Sequence, residues 1–94
     1  MNHNQRIAFL MAYPKETISP TMMAQVYGGD PYAYNIAAKK GNLPFRYWWN
    51  GRNLRISKED VIQALEGNLT YSMLMSMMRR MMSEMLEKQN TGIA

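Results

Sequence analysis

The sequence has no cysteine, one histidine and no long apolar run. Without cysteine, the chain can form neither a disulfide framework nor a thiolate metal site. No segment approaches the roughly 18 apolar residues of a membrane span, and the polar start MNHNQR lacks the apolar region of a signal peptide. These absences predict a cytoplasmic protein that does not contact a membrane.

Residues suited to catalysis are also scarce. The one histidine, His3, lies near the end of the chain, and most of the seven acidic residues fall at predicted helix starts or in the last two predicted helices. Neither a glycine-rich phosphate loop nor the spacing of a metal site is present. The sequence therefore predicts a protein that is not an enzyme and that carries no cofactor or metal.

Acidic residues are missing from a central segment that is rich in basic ones. None occurs between Asp30 and Glu59, whereas six of the eleven Lys and Arg residues fall there. These six are Lys39, Lys40, Arg46, Arg52, Arg55 and Lys58. A local field of one sign attracts polyanions, although a solvated basic face would have the same composition.

The first third of the chain contains clear helix boundaries. Residues 5–13 are apolar enough for a short helix, which Pro14 ends. Ser19 is a good N-cap and Pro20 suits the first helical position, where no N–H is needed. The pattern predicts a second helix that runs to about Tyr27.

The same start signal recurs directly after this second helix. Gly28 and Gly29 end it, and Asp30-Pro31 begins a third helix that Gly41 terminates. Two short helices joined by a glycine-containing turn are typical of a helix-turn-helix motif. The chain is long enough for one small core.

The segment PFRYWWNGRNLRIS, residues 44–57, predicts a β-hairpin. Asn-Gly between two β-prone runs favours a type I′ turn with Asn50 and Gly51 as the loop residues. Strand alternation then places five apolar residues on one face, which should pack on the helices. This face comprises Phe45, Tyr47, Trp49, Leu54 and Ile56. The opposite face comprises Arg46, Trp48, Asn53 and Arg55.

The polar face of the predicted hairpin carries a charge problem. In this register Arg46 lies across from Arg55, and we expect no carboxylate nearby to neutralise them. Like charges directly opposite one another destabilise a strand pair. An anion bound beside Trp48, between these two arginines, would relieve the repulsion.

Two further helices are predicted after the hairpin. Ser57 and Asp60 resemble a capping box before KEDVIQALEG, in which Val61, Ile62 and Leu65 turn inward. Seven of the eleven methionines then lie in the segment 73–85. Five residues in this region form a seam with coiled-coil spacing: Tyr71, Leu74, Met78, Met81 and Met85.

The methionine-rich helix has more than one possible use. So broad an apolar face favours docking on a second copy of the chain. Alternatively, the helix closes the core of its own domain. Thioether-rich helices also bind Cu(I) or varied peptides, but no sulfur or imidazole motif beyond simple helical repetition supports copper here.

Residues 18–65 resemble the excisionase and MerR-like winged helix-turn-helix DNA-binding domains. Three segments carry the resemblance: ISPTMMAQVYGGD, PYAYNIAAKKGNLP and RISKEDVIQAL. Its most specific part combines Gly41, Leu43 and Pro44 with residues 55–60. The implied fold is mainly α with a small β-hairpin (α+β), namely a winged helix-turn-helix over residues 18–67. Residues 1–17 would be a helical extension and residues 68–94 an oligomerisation or partner-binding helix.

The resemblance implies a DNA-binding surface. Helix 31–40 would enter the major groove and hairpin 45–56 would lie near the minor groove or the phosphates, while Ala33, Ala37 and either Tyr34 or Ile36 turn inward. The expected DNA contacts are Tyr32, Asn35, Lys39, Lys40, Arg46, Trp48, Arg52, Arg55 and Lys58.

The expected function is sequence-specific binding of double-stranded DNA, with self-association through the C-terminal helix. An excisionase-like protein or a transcription regulator of a phage, plasmid or other mobile element would act in a bacterial cell or a phage-infected host. The alternative is a protein–protein interaction module that uses the aromatic hairpin and the methionine-rich helix.

Overall fold

The computed structural model describes residues 1–79, and this part of the chain contains five helices and a small antiparallel sheet of three strands. The elements are α1 (His3–Ala12), β1 (Thr17–Ile18), α2 (Pro20–Tyr27), α3 (Pro31–Lys39), β2 (Tyr47–Asn50), β3 (Asn53–Ser57), α4 (Lys58–Glu66) and α5 (71–79). The α+β class predicted from the sequence is confirmed. No helix within residues 1–79 has the length and apolar character needed to cross a membrane.

The helix starts follow the capping signals in the sequence. The Ser19 hydroxyl accepts a hydrogen bond from the Met22 N–H at 3.2 Å, and the Asp30 carboxylate accepts one from the Tyr32 N–H at 2.9 Å. Each satisfies a backbone donor that has no partner within its helix. The predicted starts of α2 and α3 are confirmed. Helix α1 begins earlier than predicted, because Asn2 forms a capping box with Gln5.

One buried tyrosine holds the α2–α3 turn together. Tyr34 is fully buried, and its hydroxyl donates to the Gly28 carbonyl at 2.8 Å. Gly28 and Gly29 have φ angles of 96° and 83°, a region that favours glycine. Two glycines therefore make the turn, and the hydroxyl of an α3 residue ties it to the core.

Strand β1 was not predicted from the sequence. It pairs antiparallel with β3, so that the strand order is β1-β3-β2. Thr17 lies opposite Ser57 and Ile18 lies opposite Ile56. This short strand joins the segment before α2 to the hairpin.

The hairpin forms, but in a different register from the predicted one. Trp49 lies opposite Leu54 and Asn50 lies opposite Asn53, so the loop residues are Gly51 and Arg52. Gly51 supplies the positive φ, 63°, at the first loop position. Each residue's partner has shifted by two, and a shift of two leaves the faces of the strands unchanged.

The core lies between the sheet and the helices and includes most of the predicted apolar hairpin face. Phe45, Leu54 and Ile56 are buried and Tyr47 is half-buried. The prediction is wrong for Trp49, which is 39% exposed near the hairpin tip. In the described chain the buried apolar residues are Leu10, Ile18, Met23, Val26, Tyr27, Tyr34, Ala37, Ala38, Leu43, Phe45, Leu54, Ile56, Val61, Leu65, Leu74 and Met78.

Helix α5 completes this core. Leu74 and Met78 are buried against the chain's own domain, so the prediction that they contact a second copy is wrong for these two residues. Tyr71 stays exposed and lies against Gly29. Met81 and Met85, the rest of the predicted seam, lie outside the described residues.

Candidate nucleic-acid interface

A polar groove of about 640 Å³ runs between the hairpin tip and the starts of α2 and α3. We call it the basic groove. Its lining residues are Lys15, Thr17, Ser19, Pro20, Thr21, Pro31, Asn35, Asn50, Arg52, Asn53, Leu54 and Arg55. Three of these residues are basic and none is acidic. Asn35, Arg52 and Arg55 were expected from the sequence to contact DNA, and the fold brings them together here.

Arg55 is fixed in position on the groove wall by strand β1. Its Nε donates to the Thr17 hydroxyl at 3.0 Å, and one of its terminal nitrogens donates to the Thr17 carbonyl at 2.7 Å. A guanidinium has five N–H donors, so this anchoring leaves donors that can bind an anion. Neither anchoring acceptor is a carboxylate, so the anchor does not offset the charge of Arg55.

Two helix N-termini lie at the groove. Ser19, Pro20 and Thr21 belong to the start of α2, and Pro31 is the first residue of α3. The N-terminal end of a helix carries a partial positive charge. These ends therefore add to the field of the three basic side chains, although the Asp30 carboxylate that caps α3 offsets part of it.

The exposed side of α3 begins at the groove. Tyr32 is 63% exposed and both Lys39 and Lys40 are exposed, whereas the Asn35 amide donates to the Pro31 carbonyl at 3.3 Å. Of the two candidates to turn inward, Tyr34 is buried and Ile36 is 37% exposed. Polar, aromatic and basic side chains thus follow this side of the helix.

The tip of the hairpin links α3 to the groove. Arg52 lines the groove and also a shallow depression of about 360 Å³. The other residues of this depression are Lys39, Trp49 and Gly51. The tip therefore places Arg52 and Lys39 around one exposed aromatic side chain.

The prediction that no carboxylate lies near Arg46 is wrong. A terminal nitrogen of its guanidinium contacts Asp60 at 2.9 Å and Glu59 at 3.4 Å, and its Nε donates to the Asp60 carboxylate at 3.1 Å. The Arg46 backbone N–H donates to the same carboxylate at 2.8 Å. Both acids belong to the first turn of α4, which follows the hairpin directly. Arg46 is therefore neutralised within the fold, and it does not lie opposite Arg55.

This ion pair makes stability depend on pH. Hydrogen bonding to the Arg46 guanidinium lowers the pKa of Asp60 below its ordinary value of 3.8. Because the folded pKa lies below the unfolded one, the stabilisation is complete above the unfolded pKa and is lost as pH falls through the folded pKa. We expect Asp60→Asn to lower the free energy of unfolding at neutral pH, with a difference from wild type that shrinks below about pH 4.

Urea unfolding at a series of pH values measures this difference. Glu66→Gln is the matched control, because Glu66 is an exposed carboxylate at the other end of α4. If both substitutions shifted stability equally at every pH, the ion pair would have no specific role.

Lys58 and Trp48 belong to a different surface from the basic groove. The Lys58 ammonium donates to the Tyr13 carbonyl at 2.7 Å, where it caps the end of α1. Trp48 is 52% exposed and lies opposite Arg55 in the hairpin. It also lines a depression with Glu16, Thr17, Arg46, Ser57, Lys58 and Glu59. This second depression, the mixed-charge depression, suits a polyanion less well than the groove does.

Six polar residues that line the groove were not among the expected DNA contacts. They are Lys15, Thr17, Ser19, Thr21, Asn50 and Asn53. Lys15 comes just before β1, and a two-residue strand leaves no periodic signal. Asn50 was assigned to the loop. Recognition of β1 would have directed attention to Lys15.

Metal ligands do not cluster in the described chain. Within residues 1–79, no group of three or more His, Asp or Glu side chains is arranged to hold a metal ion. Asp30 caps α3 and Asp60 pairs with Arg46. The chemistry that this surface offers is therefore the binding of anions by cations and amides.

Comparison with protein-family models, with curated proteins and with solved structures finds no match to this chain.

Proposed function

We propose that the chain is a sequence-specific double-stranded DNA-binding protein of the winged helix-turn-helix type. The observation that carries this proposal is the basic groove, whose lining contains Lys15, Arg52 and Arg55 and no carboxylate. Phosphate contacts from such side chains supply most of the affinity for DNA, and side chains on an adjoining helix can read the bases.

Helix α3 is the candidate recognition helix. Tyr32, Asn35 and Lys39 lie at i, i+3 and i+7, which places them along one side of a helix. An asparagine can pair with adenine in the major groove and a lysine can contact guanine or phosphate. In this arrangement α3 reads bases while the groove and the hairpin tip bind the flanking phosphates.

The shape of the site favours a long polyanion over a small one. The groove is open to solvent and its cations are spread from Lys15 before β1 to Arg52 at the hairpin tip. Lys39 extends the same positive field along α3. A duplex presents phosphates at regular intervals across such a surface, whereas a single small anion would meet only a part of it.

The biological role that fits best is that of an excisionase-like protein or a transcription regulator of a mobile element. Protomers on neighbouring sites would contact one another through the C-terminal helix. Leu74 and Met78 do not contribute to such a contact, and the exposed Met73 and Met77 on the described part of α5 support it.

A protein-interaction module is the second candidate. Exposed apolar side chains at Trp48, Met73 and Met77 favour it, since a second protein could cover them. The two candidates differ in their response to salt, because only a polyanion-binding surface loses affinity steeply as salt rises.

A pair of alanine substitutions tests the DNA proposal. Arg52→Ala and Arg46→Ala remove the same formal charge from exposed side chains of one hairpin, but only Arg46 is paired with carboxylates. One phosphate contact contributes a salt slope of about 0.9, or roughly eightfold in affinity at 0.1 M salt. We expect Arg52→Ala to weaken duplex binding by about eightfold and Arg46→Ala by less than about twofold.

Fluorescence anisotropy of a labelled random-sequence duplex, measured at several salt concentrations, gives both the affinity and the slope. The proposal fails if wild-type affinity does not depend on salt. Equal losses from the two substitutions would show that net charge, and not the groove, governs binding.

A further inference from the structure

Trp49 differs from the other apolar residues on its face of the hairpin. Phe45, Leu54 and Ile56 on that face are buried, whereas Trp49 is 39% exposed. It lines the depression at the hairpin tip together with Lys39, Gly51 and Arg52. An aromatic surface is thus left accessible between two cationic side chains.

The placement of Trp49 follows from how strand β2 packs and pairs. The Tyr47 hydroxyl donates to the Ala38 carbonyl at 2.9 Å and ties β2 to the end of α3. Trp49 follows two residues later, so it points to the same side of the strand and comes close to Lys39. Its cross-strand partner, Leu54, is buried on the same face, so pairing with β3 also anchors this part of β2.

The open side of the depression has room for a flat ligand. Gly51 has no side chain, and a Cβ built there meets no atom within 4 Å. The lining therefore combines one indole with two cationic side chains, and the space beside Gly51 is open.

This combination of groups matches a nucleobase with its flanking phosphates. Aromatic side chains stack on bases whatever their sequence, while cations bind the backbone on either side. In a uniform duplex both faces of each base are covered by neighbours. A base becomes available only where it is unpaired or where a kink unstacks it.

We propose that Trp49, with Lys39 and Arg52, forms a stacking site for an unpaired or unstacked DNA base, so that the protein binds locally distorted duplex more tightly than uniform duplex. This inference rests on the proposed function and adds to it a preference for DNA shape. The strand alternation in the sequence placed Trp49 in the core, and this proposal gives it a binding role instead.

The neighbouring Trp48 provides a matched control. It is also exposed, but it points to the other face of β2 and lines the mixed-charge depression, where Glu16 and Glu59 oppose phosphates. Trp48→Phe leaves Trp49 as the only tryptophan, and Trp49→Phe leaves Trp48, so each variant reports one site by fluorescence.

The experiment compares a uniform duplex with the same duplex carrying one unpaired nucleotide. We expect wild type and Trp48→Phe to favour the bulged duplex by about fivefold or more, with quenching of Trp49 emission on binding. Trp49→Ala should lose the preference while it keeps most of its affinity for uniform duplex. Because Trp49→Phe retains an aromatic ring, it should keep part of the preference.

The outcomes separate the two proposals. Absence of salt-dependent binding to either duplex overturns the proposed function itself. Binding with an unchanged preference in Trp49→Ala, or quenching of Trp48 in place of Trp49, overturns the stacking site alone. If Trp49→Ala does not fold, the emission of the single-tryptophan variants decides the question without it.

Discussion

Replacement of Tyr34 by alanine is expected to lower the free energy of unfolding by about 4 kcal/mol. Tyr34 is the largest of the fully buried side chains, and it lies on α3 against the α2–α3 turn. Its removal leaves a cavity in the core and the Gly28 carbonyl without the hydroxyl donor. A small domain has only about 5–15 kcal/mol in total, so a large part of its stability would be lost.

Tyr34→Phe separates packing from hydrogen bonding. It keeps the ring and removes only the 2.8 Å hydrogen bond to Gly28, for which we expect a loss of about 1 kcal/mol. Chemical denaturation of both variants and wild type supplies the three values. A loss below about 1 kcal/mol in Tyr34→Ala would mean that the ring does not support the core. Since the turn sets the placement of α3, DNA affinity should fall in Tyr34→Ala even where the variant remains folded.

The helix starts could be predicted because their causes are local. Ser19 and Asp30 each cap a helix with a side chain that reaches two or three residues onward, and a proline follows each of them. Everything that decides these boundaries lies within a few positions of the sequence. The turn glycines Gly28 and Gly29 are local signals of the same kind.

The register of the hairpin and the strand β1 depend on pairing, which is not local. The Asn-Gly step identified the turn, but the choice of Gly51 and Arg52 as loop residues also depends on how β3 pairs with β1 and β2 and on where it runs into α4. Thr17 and Ile18 make a strand only because β3 lies beside them. Two residues are too few for alternation to be detected.

Alternation along a strand predicts the face of a residue but not how far that face is covered. Trp49 shares a face with Phe45, yet it lies near the tip, beyond the part of the face that is buried. The same limit applies to α5, where periodicity identified Leu74 and Met78 as apolar seam residues without showing what covers them. The chain's own core does so.

The charge prediction failed at Arg46 for a related reason. Counting acidic residues along the sequence found none between Asp30 and Glu59, so all the central cations looked unpaired. Once β3 runs directly into α4, the first turn of that helix places Asp60 against Arg46. The basic surface is therefore smaller than the sequence suggested, and it is centred on Arg52 and Arg55.

Reversal of two charges in the basic groove is expected to weaken duplex binding on the order of 100-fold at 0.1 M salt. Lys15 and Arg52 are exposed, and both line the groove. Loss of two phosphate contacts, at roughly eightfold each, gives about 60-fold, and the new carboxylates add repulsion. The salt slope of the Lys15→Glu, Arg52→Glu variant should fall by about 1.8 relative to wild type. Anisotropy of a labelled duplex across a salt series measures both quantities.

The two reversals are also measured singly, as Lys15→Glu and as Arg52→Glu. Arg6→Glu is the control for each of them, because it changes the formal charge by the same amount on α1, outside the groove lining. We expect this control to weaken binding by only a fewfold through the long-range field, with little change in slope. Lys15 and Arg52 are exposed and Arg6 is half-buried, so thermal melting of all variants checks that each one remains folded. If Arg6→Glu lowered the affinity and the slope as much as Lys15→Glu does, DNA would be responding to net charge. The groove would then not be its binding site.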